Sequence, residues 1–185
     1  MKKLFALTLL VIILAFAAGA QAAAKNPDTF VFATYGTLRT LDPCVAYDTT
    51  SSQRLWNIYE PLIFFDGSHT DRFKPLIATA VPSLANGGIS ADGKTYTFTI
   101  RKGVKFHEGQ TLTPEDVVYS FKRNMIADPD GGPMWMLLEA LTGKGSTRDG
   151  DGKLHPGIME AIDKCVEAKG DQVIFHLPAP YPPFL

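Results

Sequence analysis

The apolar and polar positions of residues 95–101 alternate strictly. Tyr96, Phe98 and Ile100 share one face, and Thr95, Thr97 and Thr99 share the other. A period of two built from aromatic and β-branched residues predicts a half-buried strand. Asp92-Gly93 before it and Lys102-Gly103 after it supply turns. Further along, the period becomes helical. Thr113 suits an N-cap, Pro114 the first helical position, and Glu115 and Asp116 the positive end of the helix dipole. Val117, Val118, Phe121 and Met125 then recur at helical spacing, with Lys122 and Arg123 toward the C-terminus, so an amphipathic helix is expected over 114–125.

The remaining pattern is weaker but ordered. Phe30-Val31-Phe32-Ala33-Thr34-Tyr35 reads as a strand ending at Gly36, and Leu41-Asp42-Pro43 as a turn. The hydroxyl-rich residues 49–52 suit the start of a short helix through Tyr59, stopped by Pro61. Leu62-Ile63-Phe64-Phe65 predicts a buried strand closed by Asp66-Gly67. Residues 128–133 form a loop, 134–141 a short apolar helix, 142–157 a polar, Gly-rich and mobile connection, and 158–162 one helical turn. Residues 165–168 and 172–177 flank Lys169-Gly170-Asp171, a hairpin pattern. The Pro-rich stretch 178–185 ends on Phe184-Leu185 without a polar cap, which reads as the start of a further element and so as a truncated chain.

Residues 1–22 read as a secretory signal. Lys2 and Lys3 precede a mainly apolar run over 4–18, and Ala20-Gln21-Ala22 offers a cleavage site after Ala22. The run is short for a bilayer span. The expectation is an exported protein, periplasmic where the source has two membranes. Across 185 residues, 45% are hydrophobic and 20% charged, a globular balance, and the net charge of −1 gives no basic field for nucleic acid.

Cys44 and Cys165 allow one intrachain disulfide in an oxidising compartment. Closing so long a loop would stabilise by about 4–5 kcal/mol in the chain-entropy model. The alternative is two buried thiols. The histidines, His69, His107, His155 and His176, show no metal-ligand spacing, and no nucleophile elbow, P-loop or dinucleotide fingerprint is present. No metal, cofactor or catalytic residue is therefore expected. The Glu115/Asp116 pair is explained by helix capping.

Several motifs in order resemble the extracellular solute-binding proteins of the peptide/nickel type, family 5, the periplasmic binding components of ABC importers. They are Leu41-Asp42-Pro43, Trp56-Asn57-Ile58-Tyr59-Glu60-Pro61-Leu62, Asp92-Gly93-Lys94-Thr95-Tyr96-Thr97-Phe98, and the run from Ile100-Arg101-Lys102-Gly103 to Phe106-His107-Glu108-Gly109. Leu112-Thr113-Pro114-Glu115-Asp116-Val117-Val118-Tyr119-Ser120-Phe121 and Pro180-Tyr181-Pro182-Pro183-Phe184-Leu185 complete the set.

The resemblance implies an α/β fold, the truncated N-terminal portion of a two-lobed periplasmic-binding-protein architecture with an extra subdomain. Residues 23–59 would open the first lobe and 60–185 form most of that subdomain. It implies capture of a small solute, most simply a short peptide, by a monomer that hands it to an ABC permease without catalysis. Nickel, haem, opines or sugars are alternative ligands, and an exported enzyme or a non-functional fragment is the rival outside this class. The family's loop after the Leu-Asp-Pro turn approaches ligand, which here points to Tyr47, Asp48 and Thr49. The segment after the long helix contributes a pocket wall, which points to Met134 and Trp135. Tyr47 and Trp135 have rings suited to covering a peptide, and Asp48 a charge suited to an ammonium group. Ordinary packing beside Leu137 also accounts for Trp135, and an N-cap or turn role for Asp48. Cys44 matches no family pattern.

Overall fold

The structure, a computed structural model, describes residues 26–127 and 132–185. The expected export segment 1–22 and most of the loop expected at 128–133 lie outside the described residues. The chain divides into two compact units, one ending at Tyr35 and the other running from Gly36 to Leu185. In the first unit, the Thr29 amide closes a turn on the Asn26 carbonyl at 3.1 Å. Residues 30–35 form no strand, against expectation. Aromatic and β-branched composition suits a pleated surface, but only a ladder makes a strand, and propensity does not supply one.

The second unit is built on a three-stranded antiparallel sheet. Strands β3 (Thr95–Thr99), β4 (Val166–Lys169) and β5 (Gln172–His176) lie in the order β3-β5-β4. Tyr96 pairs with Phe175 and Phe98 with Val173 across one ladder, and Val166 pairs with Phe175 across the other. The strict alternation thus places Tyr96, Phe98, Val166, Val173 and Phe175 on one face, all buried. Glu167 and His176 meet on the other, Oε1 to Nε2 at 2.9 Å. The expected hairpin is the β4–β5 pair. Its loop is Gly170-Asp171, and Gly170 has φ 62°, the left-handed value that a two-residue hairpin loop requires first. Ile100 leaves the ladder but stays buried, its amide on the Asp171 carbonyl at 2.8 Å.

Four helices belong to this unit, and the last three contribute to the core on the buried face. They are α1 (Thr49–Ile58), α2 (Pro114–Ala127), α3 (Trp135–Thr142) and α4 (Ile158–Lys164). Helix α2 starts with a reciprocal cap. The Thr113 amide donates to Asp116 Oδ2 at 2.8 Å, and the Asp116 amide to Thr113 Oγ1 at 3.3 Å. Its apolar stripe buries Val117 and Met125 and brings Phe121 edge-on to Phe175, ring centroids 4.7 Å apart. Helix α3 ends at Gly143, φ 72°, and α4 runs longer than the single turn expected. The polar stretch before α4 is folded rather than irregular: an Arg148–Leu154 bridge closes it, and Asp149 Oδ1 accepts the Lys153 amide at 2.9 Å. The Pro-rich end forms a 3₁₀ turn, Pro182–Phe184, and Phe184 packs on Tyr96 and Phe175 at 4.7 and 5.4 Å.

One expectation fails here. Strand β1 (Ile63–Phe65) is not buried. It pairs only with β2 (Phe73–Pro75), and Phe64 and Phe65 are partly exposed on this two-stranded ribbon. Only Leu62, just before β1, enters the core. Strand β2 went unforeseen because three residues ending in proline carry no alternation to read. Of the two alternatives open for the cysteines, the structure shows the buried thiols: Cys44 and Cys165 are both free. Cys165 ends α4 inside the main core, its thiol donating to the Ile162 carbonyl at 3.2 Å. Cys44 lies outside that core, in the turn before α1, against Arg123. Burial raises the Cys165 thiol to about 11 and raises that of Cys44 as well.

Candidate functional site

The segment before α1 is tied down residue by residue. Asp42 makes a turn in which its Oδ1 accepts the Cys44 amide at 3.1 Å and its carbonyl accepts the amides of Val45 and Ala46 at 3.2 and 3.0 Å. The Ser51 hydroxyl, buried in the first turn of α1, accepts the Arg39 amide at 3.2 Å. Tyr59, past the end of the helix, donates its hydroxyl to the Leu41 carbonyl at 3.3 Å. The loop carrying Tyr47 therefore begins and ends on fixed backbone.

Asp48 is the N-cap of α1. Its Oδ1 accepts the Ser51 amide at 2.9 Å, and this bond is the main reason its carboxyl sits below the ordinary value. Its Oδ2 is buried without a hydrogen-bond partner among the described residues. Thr49 follows as an exposed residue of the first helical turn.

Tyr47 meets Trp135, which comes from a distant segment of the chain. The indole Nε1–H donates to the Tyr47 hydroxyl at 3.3 Å, across 88 residues of sequence. Both rings remain accessible, Tyr47 at 61% and Trp135 at 40% exposure. Met134, the N-cap of α3, contributes no side-chain cap and instead lines a cleft of about 1000 Å³. Asp42, Trp56, Tyr59, Phe64 and Arg123 line the same cleft.

Arg123 of α2 reaches Asp42 across this cleft. Nη1 donates to Oδ1 at 2.9 Å, Nη2 donates to Oδ2, and Nη1 also lies 3.3 Å from the Cys44 sulfur. These bonds hold the Asp42 carboxyl well below the usual carboxylate range and raise the guanidinium further. A second cleft, about 940 Å³, is mainly apolar and lies over the sheet, lined by Leu62, Phe98, Phe121, Phe175, Phe184 and Leu185 among others.

Of the five residues singled out by sequence, the structure brings Tyr47 and Trp135 into contact and places Met134 beside them. It uses one Asp48 oxygen for capping and leaves Thr49 at the surface. The Asp42–Arg123 pair was missed. Asp42 read only as a turn residue and Arg123 only as a charge near a helix end, and no local signal joins positions 81 residues apart. Among the described residues, no three or more His, Cys, Asp or Glu side chains are grouped to hold a metal ion. No helix among them is long and apolar enough to cross a membrane.

The unit is an α/β assembly with a cleft lined in part by Trp56, Tyr59 and Phe64. Residues 77–185 match the bacterial extracellular solute-binding proteins, family 5 Middle, and the chain belongs to that family. It is 33% identical over 117 residues to heme-binding protein A of Haemophilus influenzae, covering 60% of this chain and 20% of that protein. It is 31% identical over 144 residues to the oligopeptide-binding protein OppA of Bacillus subtilis, covering 76% of this chain and 24% of the relative. The solved structure of the pheromone receptor PrgZ, described with its mode of peptide binding, superposes with a TM-score of 0.60 at 27% identity. That match covers 80% of this chain and 26% of the receptor. The chain thus spans a fifth to a quarter of the length of these relatives.

Proposed function

We propose that this chain supplies part of the ligand-capturing wall of an exported solute-binding protein that takes up short peptides and passes them to an ABC permease. In this reading residues 23–59 open the first lobe, residues 60–185 form most of the extra subdomain, and a monomer closes around its ligand. Closure is favoured to the extent that ligand binds the closed state more tightly than the open one. The observation that carries the reading is the Tyr47–Trp135 contact: two accessible rings from distant segments, joined by a 3.3 Å hydrogen bond and adjacent in the chain to Ala46 and Met134, which line the cleft. Rings with one polar atom cover an extended peptide's apolar and polar surface alike. Main-chain hydrogen bonding to an extended ligand tolerates varied side chains. Met134 extends this wall along the cleft. Asp48, whose Oδ1 caps α1, is the carboxylate nearest Tyr47 in the chain for a ligand's ammonium group, which it could meet only if its buried Oδ2 were uncovered. The names of OppA and PrgZ's description support a peptide; the name of the Haemophilus relative keeps haem as the competing ligand.

The test is calorimetry of the protein containing this chain against mixed di- to pentapeptides, with haem, nickel and sugars in parallel. Peptide binding is expected, weakened at least tenfold by Tyr47→Ala and by Trp135→Ala. Phe98→Ala, a core change, should lower stability with a smaller loss of affinity. Trp135→Phe keeps the ring and removes the indole donor, and should fall between wild type and Trp135→Ala. Binding of haem, nickel or sugar but not peptide would overturn the ligand class. Unchanged peptide affinity in both alanine variants would remove Tyr47 and Trp135 from the site.

A further inference from the structure

We propose that Arg123 is a positioning residue for ligand capture: by gripping Asp42 it sets the Tyr47 segment against the Trp135 segment. The inference rests on the peptide reading above and adds to it the side chain that holds the two halves of the wall in register.

The two segments are joined at two places. One is the Asp42–Arg123 pair, bridging 81 residues of sequence, and the other is the Tyr47–Trp135 hydrogen bond, bridging 88. Asp42 lies a few residues before Tyr47, and Arg123 lies on the helix that precedes Trp135. Helix α2 packs on α3, so the first contact anchors the Tyr47 segment to the helix pair that carries Trp135. A neutral hydrogen bond between two largely accessible side chains is too weak to order both by itself, because its net worth is about 1 kcal/mol and ordering two side chains costs a similar amount.

The ion pair is the stiffer corner. A guanidinium fork meeting both carboxylate oxygens fixes orientation as well as distance, which an ammonium cannot do. Asp42 is itself locked, since its Oδ1 also accepts the Cys44 amide and its carbonyl accepts two further amides. Any swing of Asp42 and the loop after it away from α2, which packs on α3, must therefore strain the fork or the turn.

The same pair is partly exposed, so its share of global stability is small, enough to show in the acid limb of unfolding but not to hold the fold. Its side chains are 40% and 33% exposed, and exposed pairs contribute little. Lys122, the neighbouring residue on α2, offers the matched control. It forms a 2.7 Å ion pair with Asp163, on the side of the helix facing α4 and away from the cleft.

The experiment compares Arg123→Ala, Arg123→Lys, Asp42→Asn and Lys122→Ala in two readouts. The first needs no ligand: the indole N–H resonance of Trp135, assigned by its loss in a Trp135→Phe sample. The second is peptide affinity by calorimetry. Arg123→Ala and Asp42→Asn should move the Trp135 resonance toward its solvent-exposed position and weaken peptide at least tenfold. Arg123→Lys should give a smaller shift, Lys122→Ala should change neither readout, and the exchange Asp42→Arg with Arg123→Asp should recover part of both. An Arg123→Ala protein matching Lys122→Ala in both readouts overturns the inference. So does one that unfolds while Arg123→Lys and Asp42→Asn leave both readouts at wild type. If the wild type binds no peptide, the functional reading fails, whereas the resonance comparison still decides whether Arg123 positions Trp135.

Discussion

Phe175 is the residue on which the sheet-and-helix core turns, and replacing it gives a sharp test of the packing. It is 1% exposed and makes three ring contacts at once: edge-on to Phe121 at 4.7 Å, to Phe98 at 5.6 Å and to Phe184 at 5.4 Å. Burial of a phenylalanine makes its truncation to alanine cost about 3–5 kcal/mol. Each aromatic pair adds about 0.5–1.5 kcal/mol beyond the area it buries. Phe175→Leu keeps most of the apolar area and loses the ring geometry, so even at the low end of that range it should cost about 1.5 kcal/mol. Phe175→Ala should approach about 5 kcal/mol, a large part of the total stability of an ordinary domain. Phe64→Ala is the control. That ring is 38% exposed and touches only Phe65 among the described ring pairs, at 5.8 Å, so its loss should stay below about 1 kcal/mol. Urea denaturation followed by circular dichroism reads these values, with an unchanged slope confirming that stability rather than compactness has moved. A Phe175→Leu protein within about 0.5 kcal/mol of wild type, or a Phe64→Ala protein that loses as much as Phe175→Leu, would refute the assignment of the core.

Two further outcomes follow from named contacts. Thr113→Ala removes one half of the cap on α2 and should cost about 1 kcal/mol in thermal or urea unfolding, with Thr113→Ser restoring most of it. The Asp42 carboxyl, held low by Arg123 and by its bond in the Cys44 turn, binds a proton less readily when folded than when unfolded. Its stabilisation is therefore complete above the ordinary aspartate value of about 4 and drains away as pH falls below it toward the folded value. The drop in urea midpoint between pH 7 and pH 3 should be smaller in Asp42→Asn than in wild type, and an identical drop would show that the pair does not respond to acid.

The candidate site was half legible before folding. Tyr47, Met134 and Trp135 could be named from the resemblance of the surrounding motifs, because ring chemistry and position after a motif are local properties. The Asp42–Arg123 fork could not, because each partner has a sufficient local explanation: a turn for Asp42 and a helix dipole for Arg123. Asp48 shows the same ambiguity resolved the other way, one oxygen capping α1 and the other buried without a partner.

What the amino-acid sequence determined alone is whatever depends on neighbours in the chain. The alternation over residues 95–101 sets which faces of β3 are apolar. Thr113 to Asp116 sets where α2 begins, and Gly170 permits the β4–β5 turn. The tertiary structure decided what depends on a partner elsewhere: that β3 pairs with β5 in the order β3-β5-β4, and that residues 30–35 form no strand. It likewise left Phe64 and Phe65 half outside the core and kept the two thiols apart in different surroundings. The reason is physical. A helix cap or a tight turn closes its own hydrogen bonds within a few residues, whereas a ladder, an ion pair or a disulfide exists only when folding brings its second half into reach.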